Sequence, residues 1–363
     1  MNILMLVKNS EIGGVVSCVK SLADGLKAKG DKTVIGTCQG EGVDKMLSGG
    51  GYNVHIIDFG TKNIVSVIRN LLKIQKIVKT EKIDVIHAQN RLPALYASIV
   101  CFFNKKVNYI WSNHLVPIPC DFLHKMTTRY GKFAVAEGIA GKEFLINKFN
   151  IPESKVKVVN LGSDISSFTK ISKDKQEELK KQWNIQSEDK VILLYGRLAP
   201  VKGHSFLLKA VSLLDDEKKS HLKIVFPGQG EEYKNKLVHL ALKYGLKDAL
   251  IFPGYIEGRD YLSIADLMVL PSKQEGFGIV NVESFAMGVP VIRTKTAGWL
   301  DMQDCCMGVE YGDVKSLVKC INYLWNSPQI LEDQVKIAFQ NVTRFSIEKM
   351  TDEYRKIYAA SMK

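Results

Sequence analysis

Short apolar runs alternate with longer stretches of helical period along almost the whole chain. Asn2–Val7, Thr33–Thr37, Val54–Asp58, residues 83–87, Tyr109–Ser112 and Phe133–Ala136 are runs of the kind that form strands buried on both faces. Asn63–Thr80 has the helical period instead. Its apolar positions are Ile64, Val67, Ile68, Leu71, Leu72, Ile74 and Ile77, and Arg69, Lys73, Lys76 and Lys79 make a basic face. Leu92–Phe103 predicts a second helix. A Lys- and Glu-rich stretch from Ser166 to Trp183 then reads as a linker with a surface helix. Beyond it the alternation resumes, with strands expected at Val191–Tyr195, Leu222–Phe226, Leu250–Tyr255, Leu267–Leu270 and Val289–Ile292. Helices are expected at His204–Leu214, Tyr261–Leu267, Asp313–Ser327, Ile330–Phe345 and Ile347–Met362. Strands that alternate with helices give parallel α/β sheets, because only a long crossover returns a parallel strand. The expectation is therefore two Rossmann-like domains, 1–165 and 186–345, joined by a linker at 166–185 and followed by a terminal helix at 346–363.

Composition narrows the class. The chain has 363 residues, 46% of them apolar, enough for two domains with real cores. Net charge is +12. Residues 1–165 hold 22 Lys and Arg against 13 Asp and Glu, or +9, and the remainder holds 28 against 25, or +3. The first half is the one suited to an anionic surface or ligand. No nucleic-acid motif accompanies that charge, so no nucleic-acid partner is expected. The seven cysteines are odd in number and scattered, with neither C-x-x-C pairs nor metal-ligand spacing. That usage fits a reduced, cytoplasmic protein without a metal site. No signal peptide is legible at Met1, and the most apolar run, Leu92–Phe103, is too short to cross a bilayer.

The candidate chemistry concentrates between Pro271 and Ile292, P-S-K-Q-E-G-F-G-I-V-N-V-E-S-F-A-M-G-V-P-V-I. This reads as strand, glycine turn (Gly276, Gly278), helix and strand, one βαβ unit. A helix N-terminus offers free N–H groups and partial positive charge to phosphate or sugar oxygens. Glu275 precedes the helix and Glu283 follows eight positions on, so both can bond the hydroxyls of a ligand seated there. An ordinary turn with a solvated glutamate satisfies the same spacing. The second domain opens on V-I-L-L-Y-G-R-L-A-P-V-K-G, where Arg197 and Lys202 follow a strand. A rigid fork and a mobile ammonium suit a diphosphate, and a pair of surface cations is the plainer alternative. Gly13 and Gly14 follow the first strand, and His87 and His114 lie at strand ends, where open α/β sheets bind ligands.

The Pro271–Ile292 run resembles the E-x7-E signature of retaining glycosyltransferases of the GT-B fold, closest to glycosyltransferase family 4. Ser284 and Phe285 are its departures from the usual Ala-Met. G-R-L-x-x-x-K-G is matched without a gap, and T-A-G-W-L-D resembles the family's G-G-x-x-E segment with Asp301 in the acidic place. Other departures are Gln89 for a second histidine in D-V-I-H-A-H, Ala136 for a serine, Asn160 and Leu161 for Pro-Asn, and Pro227 before Gly-x-Gly. The resemblance implies two Rossmann-like domains facing across a cleft, with the terminal helix crossing back to the first. It implies a retaining, metal-independent hexosyltransferase that uses a UDP- or GDP-linked donor, no other cofactor, and a glycan or lipid-linked acceptor in surface polysaccharide synthesis.

The same resemblance gives His114, Glu275, Arg197 and Lys202 catalytic roles. It puts Gly13, Gly14, Tyr255, Ile256, Gly276, Phe277, Gly278, Ile279 and Glu283 with them at the nucleotide sugar, and His87 and Asn113 on the acceptor side. A nucleotide-sugar 2-epimerase of like fold and a non-catalytic nucleotide-sugar binder are the alternatives, and the contiguous motifs argue against both. The basic-amphipathic stretch at 63–80, with Leu92–Phe103 and the following Lys105 and Lys106, leaves two readings open. One is weak contact with the anionic cytoplasmic leaflet of the inner membrane, and the other is a solvated basic surface.

Overall fold

The computed structural model describes the chain except for residues 9–13, 41–46, 115–116 and 255–256. It divides into two units, Met1–Ser163 with Phe345–Lys363, and Asp164–Arg344. In the first unit β1 (Asn2–Val7), β2 (Lys32–Thr37), β3 (Asn53–Ile56), β4 (Val85–Ala88), β5 (Asn108–Asn113), β6 (Ala134–Ala136) and β7 (Val156–Val158) form one parallel sheet. Its order is β3-β2-β1-β4-β5-β6-β7. Helices cover both faces, so β1 is buried on both, and Ile3 through Leu6 are 0% exposed. This is why the strands read as unbroken apolar runs rather than alternating ones.

The sheet order reverses between β1 and β4, the topological switch point at which such sheets bind ligands. The Lys8 amide donates to Asn90 Oδ1 at 2.8 Å across that point, tying the end of β1 to the end of β4. The terminal helix Ile347–Ser361 belongs to this unit. It packs on the helix Gly14–Ala28 closely enough that a Cβ at Gly25 would stand 2.0 Å from Thr351 Oγ1. The Ser163 amide donates to the Phe345 carbonyl, and the Ile347 amide donates to the Ser163 carbonyl, so the chain re-enters the unit beside the point where it left.

The second unit holds β8 (Lys190–Leu193), β9 (Leu222–Val225), β10 (Leu250–Ile251), β11 (Leu267–Leu270), β12 (Val291–Thr294) and β13 (Met307–Val309), also all parallel. Their order is β10-β9-β8-β11-β12-β13, so the switch point lies between β8 and β11. The loops leaving those two strands carry Arg197 and Lys202 on one side and Pro271–Gly278 on the other. Topology alone thus brings together two motifs some seventy residues apart in the chain.

Several expected elements differ in their bounds. β10 is two residues long rather than the run to Tyr255, because it is an edge strand and Pro253, with no N–H, cannot extend the ladder. The short helix expected at Tyr261–Leu267 runs Gly258–Ile264 and yields to β11. β12 extends past the apolar run and takes a cation, Arg293, into the interior.

Candidate functional site

In the second unit the two motif loops touch backbone to backbone. Pro200–Lys202 is a single 3-10 turn closed by Gly203 at φ 78°. A Cβ at Gly203 would lie 2.0 Å from the Pro271 carbonyl oxygen, so both the dihedral and the space demand glycine. The Lys273 amide donates to the Val201 carbonyl at 2.8 Å. This close approach delivers Lys202 Nζ to Glu275 Oε2 at 2.7 Å, and Ser272 Oγ donates to the same oxygen at 3.1 Å. Both side chains are largely buried, with 24% of the lysine and 15% of the glutamate exposed, so the pair is poorly screened by solvent.

Gly278 at φ 84° turns the chain into the helix Ile279–Ala286. Phe277 is buried, and its carbonyl accepts from Arg293 Nη1 at 3.1 Å. Glu283 lies on that helix, partly buried, and desolvation pushes its carboxyl up to about 8. Arg197 is exposed on the loop after β8, and its neighbour Leu198 donates to the Gln229 carbonyl at 2.9 Å, which fixes this loop to the P-G-Q-G turn. Tyr255 and Ile256, expected at the nucleotide base, and Gly13 lie outside the described residues. Gly14 is described: it opens the helix Gly14–Ala28, exposed, and a Cβ there would meet nothing within 4 Å.

The first unit buries a chain of polar side chains beneath the end of its sheet. His114 contacts the Glu137 carboxylate through Nδ1 and donates from Nε2 to Gln89 Oε1 at 2.7 Å. The Gln89 amide nitrogen donates to His87 Nδ1 at 3.1 Å, and the Tyr358 hydroxyl sits 2.8 Å from the same nitrogen. His87 Nε2 donates to Ser112 Oγ at 2.7 Å, and Ser112 lies 3.0 Å from the Tyr354 hydroxyl. Tyr354 and Tyr358 stand on the terminal helix, so that helix is wired through His87 and Gln89 to His114.

His87 was expected to face the acceptor. It is instead 0% exposed with both ring nitrogens engaged, and burial pulls its pKa down to about 3, so it is a neutral core histidine. Asn113 is also buried, at 5% exposure. The sequence reading missed Gln89, Glu137, Ser112, Tyr354 and Tyr358 as members of this network, and Arg293 as a buried cation that donates to the Phe277 carbonyl. A polar or charged residue directly after an apolar one in a strand, as with Ser112 after Trp111 in β5 and Arg293 after Ile292 in β12, was the available signal.

Among the described residues no group of three His, Cys, Asp or Glu side chains is placed to hold a metal. No helix among them is long and apolar enough to cross a membrane.

Residues 175–339 match the family model "Glycosyl transferases group 1", and residues 12–167 match "Glycosyltransferase Family 4". A curated, uncharacterized glycosyltransferase of Methanocaldococcus jannaschii is 30% identical over 165 residues, 44% of this chain and 42% of that one. The chain spans about half the length, or less, of the first curated relatives it matches. A crystal structure of a Rickettsia africae glycosyltransferase superposes with a TM-score of 0.88 at 22% identity, covering 100% of this chain and 98% of that one. The Anabaena protein HepE in complex with UDP gives 0.88 at 18% identity, with 99% and 100% covered. The fold of these structures, two parallel-sheet Rossmann-like domains, is GT-B.

Proposed function

We propose, on the premise that this GT-B chain is similar in both halves to glycosyltransferases of group 1 and family 4, that the protein moves a sugar from a nucleotide-sugar donor to a glycan or lipid-linked acceptor. The donor is UDP- or GDP-linked, the anomeric configuration is retained, and no metal is required. The observation that carries this reading is the Lys202–Glu275 pair, held at 2.7 Å beside the N-terminus of the helix Ile279–Ala286.

Each element of that cluster has a chemical task. Breaking the bond from the anomeric carbon to the diphosphate builds negative charge on the leaving nucleoside diphosphate. Lys202, Arg197 and the first N–H groups of the helix would meet that charge, the task a divalent metal performs elsewhere. Glu275 would accept a hydroxyl of the sugar, and Glu283 would bond the ribose hydroxyls. In the first unit, Gly14 and His114 are the residues that the resemblance assigns to the donor and the transferred sugar, and His114 is held by Glu137 and Gln89. In the net reaction the acceptor oxygen replaces the diphosphate oxygen on the anomeric carbon, and nucleoside diphosphate and a proton leave. The carboxylates are therefore sugar ligands, not the acid and nucleophile of a glycosidase.

The proposal extends to the acceptor. A role in surface polysaccharide synthesis, at the cytoplasmic face of a membrane, fits the basic first unit. Its helix Ile64–Thr80 exposes Ile64, Val65, Ile68 and Leu72 next to Arg69, Lys76 and Lys79. Phe102 and Phe103 are exposed beside Lys105 and Lys106, and Phe122, Leu123 and Met126 are exposed on a short helix with Lys125. Apolar side chains interleaved with cations suit an anionic lipid surface.

The decisive experiment is a thermal-shift screen of nucleotide sugars, followed by incubation of the best donor with candidate acceptors. Free nucleoside diphosphate released on adding acceptor, with a glycosylated product, is the expected result. A new nucleotide sugar formed without acceptor would show an epimerase, and binding without turnover on any acceptor would leave a binding protein.

A further inference from the structure

Arg293 lies in the middle of β12 and is 0% exposed. A guanidinium withdrawn from water is costly unless its N–H groups are met, and here they are met without a carboxylate. Nη1 donates to the Phe277 carbonyl at 3.1 Å and to Met302 Sδ at 2.8 Å, Nη2 to Thr296 Oγ1 at 3.1 Å, and Nε to the Thr294 carbonyl at 3.3 Å. Desolvation lowers its pKa from the ordinary value, opposed by the negative side of Cys306, Glu275 and Asp301.

The bond to Phe277 has a geometric consequence. In a trans peptide the carbonyl of one residue points opposite to the N–H of the next. With the Phe277 carbonyl held by Arg293, the Gly278 N–H points the opposite way, at the start of the helix Ile279–Ala286, and Gly278 is itself buried. Gly298 presses on the same carbonyl, since a Cβ there would stand 2.3 Å from it, so the peptide has little room to rotate. The charge matters too. Lys202 is paired with Glu275, and a diphosphate that drew Lys202 away would leave Arg293 as a buried cation acting on that carboxylate.

We propose that Arg293 is a positioning residue for diphosphate recognition, holding the Phe277–Gly278 peptide so that its N–H faces the donor's phosphates and supplying positive potential beneath them. This rests on the nucleotide-sugar reading above.

The test compares affinities of the full-length protein for UDP and UMP, or for GDP and GMP should these bind more tightly, in wild type, Arg293→Met and Arg293→Lys. Arg293→Met should lose about tenfold or more in UDP affinity and much less in UMP affinity, as loss of one charge-dependent contact to the outer phosphate does. Arg293→Lys, which keeps the charge and N–H donors on a single nitrogen, should recover most of it. Equal losses for UDP and UMP would mark a purely structural residue and overturn the proposal, as would a lysine variant no better than methionine. Circular dichroism and melting show whether Arg293→Met folds. If it does not, Arg293→Lys decides alone: a UDP-to-UMP preference like that of wild type supports the proposal, and its collapse overturns it. Wild-type protein that binds neither UDP nor GDP would instead bring down the nucleotide-sugar reading, and this proposal with it.

Discussion

Gln89 and His114 are joined by a hydrogen bond of 2.7 Å, from His114 Nε2 to the Gln89 amide oxygen, inside the first unit. The same glutamine donates to His87, so one amide sets the orientation of two imidazoles. Gln89→Leu strands His114 Nε2, while His87 Nδ1 loses one of two partners and keeps the Tyr358 hydroxyl. Its expected cost is about 1–3 kcal/mol for each group left unmet, read by urea unfolding. Gln89→His, the residue the resembling family carries there, should lose less. A leucine variant as stable as wild type would refute the network's importance.

Lys202→Ala should reduce turnover by a factor on the order of a hundred or more, as loss of a transition-state charge contact does. Steady-state kinetics on the donor identified by screening would measure it. Glu275 loses its partner at 2.7 Å in the same variant, so Lys202→Arg, which keeps charge without the same reach, is the informative companion. Undiminished turnover in Lys202→Ala would remove this residue from the mechanism.

Glu283 gives a stability prediction with a definite sign. Its carboxyl is raised by burial from an ordinary 4.5 to about 8. Between those values the folded protein holds a proton that the unfolded chain has released, so stability declines as pH rises through that window and levels off above it. Glu283→Gln cannot titrate. Its melting temperature relative to wild type should therefore be higher at pH 9 than at pH 4, in a roughly sigmoidal rise. A difference constant with pH would show that the carboxyl is not desolvated in solution.

Activity should survive excess EDTA. The positive charge proposed for the diphosphate comes from Lys202, Arg197 and helix N–H groups, and hard cations need clustered oxygen ligands. Complete loss of transfer, restored by magnesium or manganese, would show that a metal holds the phosphates.

Vesicle co-sedimentation tests the lipid surface. Binding to anionic and not to neutral vesicles is expected at low salt, weakening as salt rises, at about 1 kcal/mol per basic residue near the surface. Changing Arg69, Lys76 and Lys79 to glutamate should abolish it. Lys73 is the poorer choice because its Nζ already donates to the Ile56 carbonyl at 2.7 Å. Binding that ignores these changes would reduce the basic face to a solvated one.

The sequence by itself determined the alternation of strand and helix, and with it two parallel sheets. Buried strands and amphipathic helices each declare themselves locally, in runs such as Asn2–Val7 and Ile64–Thr80. It also carried the two motif loops, because a positive-φ glycine such as Gly278 or a phosphate-suited Arg-Lys pair is a property of a few consecutive residues. What it could not carry were pairings between distant residues. Lys202 meets Glu275 only because the strand order reverses between β8 and β11. His87, at a strand end in the sequence, looked ready for a ligand. The return of the terminal helix, with Tyr358 at 2.8 Å, made it a buried neutral histidine. Arg293 falls just past the apolar run Val289–Ile292 and drew no reading from the sequence. The carbonyl of Phe277, sixteen residues earlier, turned it into the floor of the glycine turn. Burial and hydrogen-bond partnership are decided by which elements stack, and only the tertiary structure sets that.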